Sequence, residues 1–174
     1  MVRIPRTLFA ASLLVALSAT AAAPADRVIF VVRHAERAAT DDPNAGTRMM
    51  ADDPPLAPAG KARAARLATM LAPAGIQEIY TTEFQRTRQT AAPLADKLKI
   101  KPVMAPAKDP APLITQLRKG KGNVLVVGHS NTIPELLRKL GVKEDVRIGD
   151  DQYDDVFLVI PRVGKPATLI RLKY

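Results

Sequence analysis

The stretch Val28-Ile29-Phe30-Val31-Val32-Arg33-His34-Ala35-Glu36-Arg37, VIFVVRHAER, runs from five apolar residues directly into a cluster of charge. A short, β-branched apolar run of this kind reads as a strand buried on both faces. The charge that follows it then sits where the strand leaves the core. Asn123 to Ser130, NVLVVGHS, repeats the arrangement and carries the second of the two histidines in the chain. Two histidines, each just past a buried strand, set the question that the rest of the sequence has to answer.

Further strands are expected at Glu78–Thr81, Val156–Ile160 and Ala167–Leu172, with Lys101–Met104 a weaker candidate. Helical patterns lie between them. From Gly60 to Ala72, the residues Ala64, Leu67, Ala68 and Leu71 share one face. From Arg86 to Leu98, the residues Ala91, Leu94, Ala95 and Leu98 do the same, and Pro93 is expected to bend this helix or split its first turns from the rest. Asp109-Pro110 reads as an N-cap with proline at the first helical position, and Gly120 as the stop. Thr132-Ile133-Pro134-Glu135 has the T-x-x-E spacing of a capping box, followed by an apolar stripe of Ile133, Leu136, Leu137 and Leu140 and a closing Gly141. Strands alternating with helices predict an α/β fold, a three-layer α/β/α sandwich on a mostly parallel central sheet. The Asp-, Pro- and Gly-rich stretch Thr40–Pro58 reads as a long loop after the first strand.

At 174 residues the chain suits one domain preceded by a targeting segment. Arg3 and Arg6 precede an apolar run from Leu8 to Ala19, which is followed by small residues through Ala25. A basic start, a short apolar centre and a small-residue end form the layout of a secretory signal over residues 1–25. Ala19-Thr20-Ala21 and Ala23-Pro24-Ala25 both offer cleavage sites, and the run is short of the ~20 residues that span a bilayer. The expectation is therefore an exported domain over residues 26–174, periplasmic or extracellular, with no stable membrane span once the signal is removed. Without cysteine, neither lipoprotein attachment nor a disulfide is available. The net charge of +9 is dispersed along the chain rather than gathered into one run, and aromatic residues are 4% of the total with no Trp. Both features weigh against a base-stacking nucleic-acid surface, while the charge suits small anionic ligands.

Ligands of open α/β sheets sit at the carboxyl ends of the strands, and His34 and His129 both occupy that position. Arg33 precedes the first histidine. Ile79 to Arg86 delivers a further arginine, at the start of a helix, to the same edge. Two arginines and two histidines make an electropositive pocket in which guanidinium forks hold phosphate oxygens. A histidine held by a neighbouring hydrogen bond can attack phosphorus. A metal site would need a third ligand, and the cationic neighbours oppose one, so no metal and no cofactor are expected.

Arg33-His34-Ala35-Glu36, the stretch YTTEFQRTRQTA and the stretch VVGHSNT together resemble the histidine phosphatase superfamily, which includes the cofactor-dependent phosphoglycerate mutases. The resemblance runs in order over nearly the whole exported part and ends with DDQYDDVFLV, similar to the penultimate strand of small bacterial members. It implies an α/β/α sandwich, His34 as nucleophile, and Arg33, Arg86 and His129 holding the phosphoryl oxygens. Water would then hydrolyse the phosphohistidine. LAPAGKARA departs from the family's Leu-Thr-x-x-Gly helix start, with Ala57 in the place of threonine. Asp109 and Glu83 are the candidates for the acid that protonates the leaving group. Asp109 is equally explained as an N-cap, and Glu83 as a first-turn helix residue. The expected activity is hydrolysis of a small phosphomonoester, with a phosphohistidine-protein phosphatase and a non-catalytic binder of anionic ligands as alternatives. Selectivity is expected from the Thr40–Pro58 loop, the Asp109 region and Asp150–Tyr153, but none of these carries a chemical signature of the substrate, and the oligomeric state carries none either.

Overall fold

In the computed structural model the described residues are 27–39 and 53–174. The segment expected to be a secretory signal, its two possible cleavage sites and most of the expected Thr40–Pro58 loop lie outside them. Six strands form one sheet: β1 (Ile29–Arg33), β2 (Ile76–Thr81), β3 (Val103–Met104), β4 (Asn123–Gly128), β5 (Asp155–Ile160) and β6 (Thr168–Lys173), in the order β3-β2-β4-β1-β5-β6. β3, β2, β4 and β1 run parallel, whereas β5 and β6 are antiparallel to their neighbours. The histidine-bearing strands β1 and β4 are therefore adjacent and central. Both are among the strands that the sequence marks as continuous apolar runs.

Four helices, α1 (Pro58–Leu71), α2 (Gln85–Leu98), α3 (Ala111–Lys119) and α4 (Ile133–Lys139), cover the sheet. Side-chain alternation along β1 divides the core. Phe30 and Val32 pack with Leu67, Leu71, Leu94 and Ala95 of α1 and α2. Ile29 and Val31 face the other way, onto Leu113, Leu117, Ile133 and Leu137 of α3 and α4. Two apolar clusters on opposite faces of one sheet make the three-layer sandwich.

Three local expectations are corrected. Pro93 does not split α2, which is continuous from Gln85 to Leu98 with the proline inside it; burial of Ala91, Leu94 and Ala95 on the sheet offsets the lost N–H. The capping box before α4 does not form, because Thr132 makes no side-chain cap and its hydroxyl instead pairs with the backbone of His129. At α3 the N-cap is Pro110, one residue later than expected, and Asp109 Oδ1 accepts from the Ala111 N–H at 3.1 Å. Ala57 caps α1 without a side-chain hydrogen bond, as the missing threonine implies, and Pro58 follows at the first turn.

Candidate active site

Strand register sets the centre of the site. Arg33 pairs with Gly128 across β1 and β4, and the His34 N–H donates to the Gly128 carbonyl at 2.9 Å. The next residue on each strand is a histidine, so the two imidazoles meet edge to face with centroids 5.3 Å apart. Arg33, His34, Arg86 and His129 are each at most 5% exposed. All four line one cavity of about 410 Å³, together with Arg37, Ser130, Asn131, Asp150, Asp151 and Tyr153.

The chain around His34 is clamped from two sides. Gly60, in the first turn of α1, lies so close to the turn after β1 that a Cβ there would stand 2.2 Å from the Glu36 carbonyl oxygen. Glu36 accepts from Arg63 Nε and Nη2 at 2.7–3.0 Å, which ties the same turn to α1 by a two-pronged ion pair. From α2, Thr90 Oγ1 accepts the Ala35 N–H at 2.9 Å and donates to the Arg86 carbonyl at 2.7 Å. That hydroxyl connects the backbone of the first histidine's turn to the backbone of the arginine opposite.

The protonation of His34 follows from its partner. Its Nδ1 is 2.8 Å from the Ala35 carbonyl oxygen, which can only accept, so the proton sits on Nδ1 and the lone pair on Nε2. Burial, reinforced by His129, Arg86 and Arg33, lowers its pKa to about 3. Burial and Arg86 lower that of His129 to about 4. Both rings are neutral at ordinary pH. His34 therefore presents an unprotonated nitrogen beside permanent cations, the arrangement a nitrogen nucleophile requires.

Arg33 is fixed by the turn ahead of β5. Its Nη1 donates to the carbonyls of Gly149 at 2.8 Å, Asp150 at 2.7 Å and Gln152 at 3.2 Å, and the Tyr153 ring lies 4.0 Å from its Cζ. Its Nε is buried with no hydrogen-bond partner among the described residues. Arg86 stacks on Phe84 at 4.3 Å and stands 3.7 Å from Asp53 Oδ1. Asp53 also accepts the Gln85 N–H at 2.7 Å, which ties the chain ahead of α1 to the start of α2.

Of the residues singled out in the sequence, Arg33, His34, Arg86 and His129 come together, whereas Asp109 and Glu83 do not line the cavity. Asp109 is exposed and holds the Ala111 N–H. Glu83 Oε2 accepts the Ala107 N–H at 2.9 Å and so anchors the β3–α3 connection. Arg37, Asp150, Asp151 and Tyr153 do line it. Arg37 had a signal, three residues beyond His34 on the same turn. The others belong to a turn whose direction is set by the antiparallel return into β5. Among the described residues no group of three or more His, Asp or Glu could hold a metal ion, and no helix is long and apolar enough to cross a membrane.

Residues 29–107 match the family model described as histidine phosphatase superfamily, branch 1. No curated protein matches the sequence. Among solved structures, the protein histidine phosphatase SixA complexed with tungstate is 19% identical with a TM-score of 0.64, covering 84% of this chain and 96% of its own. An Escherichia coli K-12 putative alpha-ribazole-5'-P phosphatase is 16% identical with a TM-score of 0.65, covering 86% and 97%. A mycobacterial glucosyl-3-phosphoglycerate phosphatase is 14% identical with a TM-score of 0.64, covering 85% and 98%. This chain shares their fold over most of its length.

Proposed function

With the histidine phosphatase signature over residues 29–107 as premise, we propose that this protein is an exported phosphatase that hydrolyses a phosphomonoester through a phosphohistidine on His34. The observation that carries the reading is the state of that ring: Nδ1 is committed to a carbonyl and Nε2 is unprotonated in a cavity ringed by three arginines. His34 Nε2 attacks phosphorus, the N–P bond forms, and the bond to the leaving oxygen breaks. Arg33, Arg86 and His129 hold the equatorial oxygens, where charge is greatest. Water then attacks the phosphohistidine, releases inorganic phosphate and restores the lone pair of His34. Export rests on the layout of residues 1–25.

A second reading is supported by the placement of the expected acids. Asp109 and Glu83 are both bonded to loop amides away from the cavity. A phosphoramidate such as phosphohistidine has a leaving nitrogen that departs more readily than an alkoxide, so a phosphohistidine-protein phosphatase would tolerate that placement. The structural neighbour called a protein histidine phosphatase is consistent with this substrate. A non-catalytic binder is disfavoured by four retained side chains arranged for transfer.

The test uses the chain from about Asp26 with an aryl phosphate, an alkyl phosphate and a phosphohistidine peptide, all in EDTA. Turnover of the aryl ester that is lost in His34→Ala supports the phosphatase. Turnover of the phosphohistidine peptide alone moves the assignment to the second reading. Binding without turnover of any of them, or loss of activity in EDTA, refutes the phosphohistidine chemistry.

A further inference from the structure

Behind His129, away from the cavity, lies a chain of buried hydroxyls that the phosphatase reading does not use. Thr82 Oγ1 is 3.0 Å from His129 Nε2 and 3.0 Å from Thr87 Oγ1. Thr87 Oγ1 is in turn 2.8 Å from the Phe84 carbonyl and 3.2 Å from the Thr82 carbonyl. Both threonines are buried, and Thr87 is inaccessible to solvent. Phe84, whose carbonyl ends the chain, packs edge to face on His129 with centroids 5.3 Å apart and lies under Arg86.

Proton accounting restricts what this chain can do. A carbonyl only accepts, so the single proton of Thr87 goes to a carbonyl and its oxygen is left as an acceptor. Thr82 also has one proton, with two possible destinations: His129 Nε2 or Thr87 Oγ1. If it goes to Nε2, a neutral His129 must carry its own proton on Nδ1, the nitrogen with no hydrogen bond to a described residue on a ring that lines the cavity. If it goes to Thr87, Nε2 must be the protonated nitrogen. A neutral ring in that second arrangement would turn a lone pair toward an anionic phosphoryl oxygen, which is repulsive. An imidazolium in the second arrangement would still offer an Nδ1 proton.

We propose that Thr82 is a positioning residue for the reaction, its hydroxyl holding His129 in the tautomer that donates from Nδ1 into the cavity. Rotation of that one hydroxyl, from Nε2 to Thr87 Oγ1, lets His129 take up a proton when a phosphoryl dianion binds without breaking the chain. Every member keeps a partner in both states, which a buried polar group requires. Thr82 acts only through His129 and touches no substrate. The hydrogen-bond chain alone allows either arrangement, so the inference rests on the phosphatase reading for the choice of tautomer as well as for its kinetic consequence.

The tautomer is read first, by nitrogen NMR of histidine-labelled wild-type protein; with two histidines, the His34→Ala spectrum assigns the signals. Free His129 is expected to be protonated on Nδ1 and bare on Nε2 at neutral pH, and to keep the Nδ1 proton with tungstate bound. A bare Nδ1 in the free protein overturns the proposal whether or not the protein is a phosphatase. Kinetics with an aryl phosphate follow. Outer-shell partners that fix the orientation of a functional histidine typically matter by about 10–100-fold. Thr82→Val, which keeps the shape and removes the hydroxyl, should lower kcat by that factor and weaken tungstate binding, with KM changed less. Thr82→Ser should restore most of the loss, which a mere packing role would not. A folded Thr82→Val protein with wild-type kcat and tungstate affinity overturns the proposal. If wild type turns over neither the aryl phosphate nor a phosphohistidine peptide while His129 shows the expected tautomer, the phosphatase reading fails and the positioning role of Thr82 is refuted with it.

Discussion

His34 and His129 stand at equivalent places, one residue past neighbouring parallel strands, both buried and both neutral, yet their second nitrogens meet different partners. His34 Nδ1 faces the Ala35 carbonyl, and His129 Nε2 faces the Thr82 hydroxyl. A carbonyl fixes a proton in one direction; a hydroxyl accepts or donates. The first histidine is therefore held with a permanent lone pair on the far side, as the proposed nucleophile needs. The second is held so that its protonation can change while its ring stays in place. Similar position in the fold does not give similar chemistry, because the residue behind each ring decides it.

The sharpest test of this difference is to remove each ring. His34→Ala should abolish turnover, since no other side chain in the cavity presents a bare nitrogen at that position. His129→Ala should retain measurable activity while losing about 10²–10³-fold in kcat, the cost of one charge-stabilising donor. Equal losses in steady-state kinetics would break the comparison. Arg86→Ala, which removes a permanent cation beside both histidines, should fall in the same range as His129→Ala, with binding of phosphate and tungstate weakened in parallel.

A smaller effect separates the clamp from the chemistry. Gly60→Ala places a methyl group against the Glu36 carbonyl, where the backbone must shift. Overpacking of this kind costs about 1–3 kcal/mol. The denaturation midpoint should drop, and kcat with it, because the turn being displaced carries His34. A variant with unchanged midpoint would show that the approach of α1 to this turn is slack.

A last effect, on stability rather than on turnover, is in pH dependence. Both histidines have folded pKa values, about 3 and about 4, below the ordinary 6.5. Between pH 6.5 and about 3 the unfolded chain binds protons that the native one refuses, so stability present above pH 6.5 is lost progressively as pH falls through that window. His34→Ala should flatten that decline in denaturant titrations at successive pH values. An unchanged slope would mean that burial does not keep the ring neutral.

Much of this site was legible because its floor is built from strand ends. The apolar runs at β1 and β4 give their own boundaries to within a residue, and a histidine just past each one is placed by register alone. Arg86 was legible for the same reason, at the opening of a helix after β2. The rim was not. Asp150, Asp151 and Tyr153 arrive on a turn between α4 and an antiparallel strand, and no local periodicity states where such a turn points. Thr82 and Thr87 look like ordinary residues of a strand exit and a helix start until their hydroxyls are found stacked behind His129. Asp109 is a candidate through the family resemblance and Glu83 through its nearness to Arg86, and backbone amides nearby claim both carboxylates. Thr132 shows the same competition, its hydroxyl serving the His129 backbone where a capping box was expected.

The measurement that tests the central claim most directly is to quench the protein during turnover of an aryl phosphate and locate any covalent phosphoryl group by mass spectrometry of its peptides. The account predicts an acid-labile, base-stable phosphoryl group on His34 in wild type and none in His34→Ala. Rapid turnover with no phosphorylated histidine at any quench time, or the phosphoryl group on another residue, would contradict it.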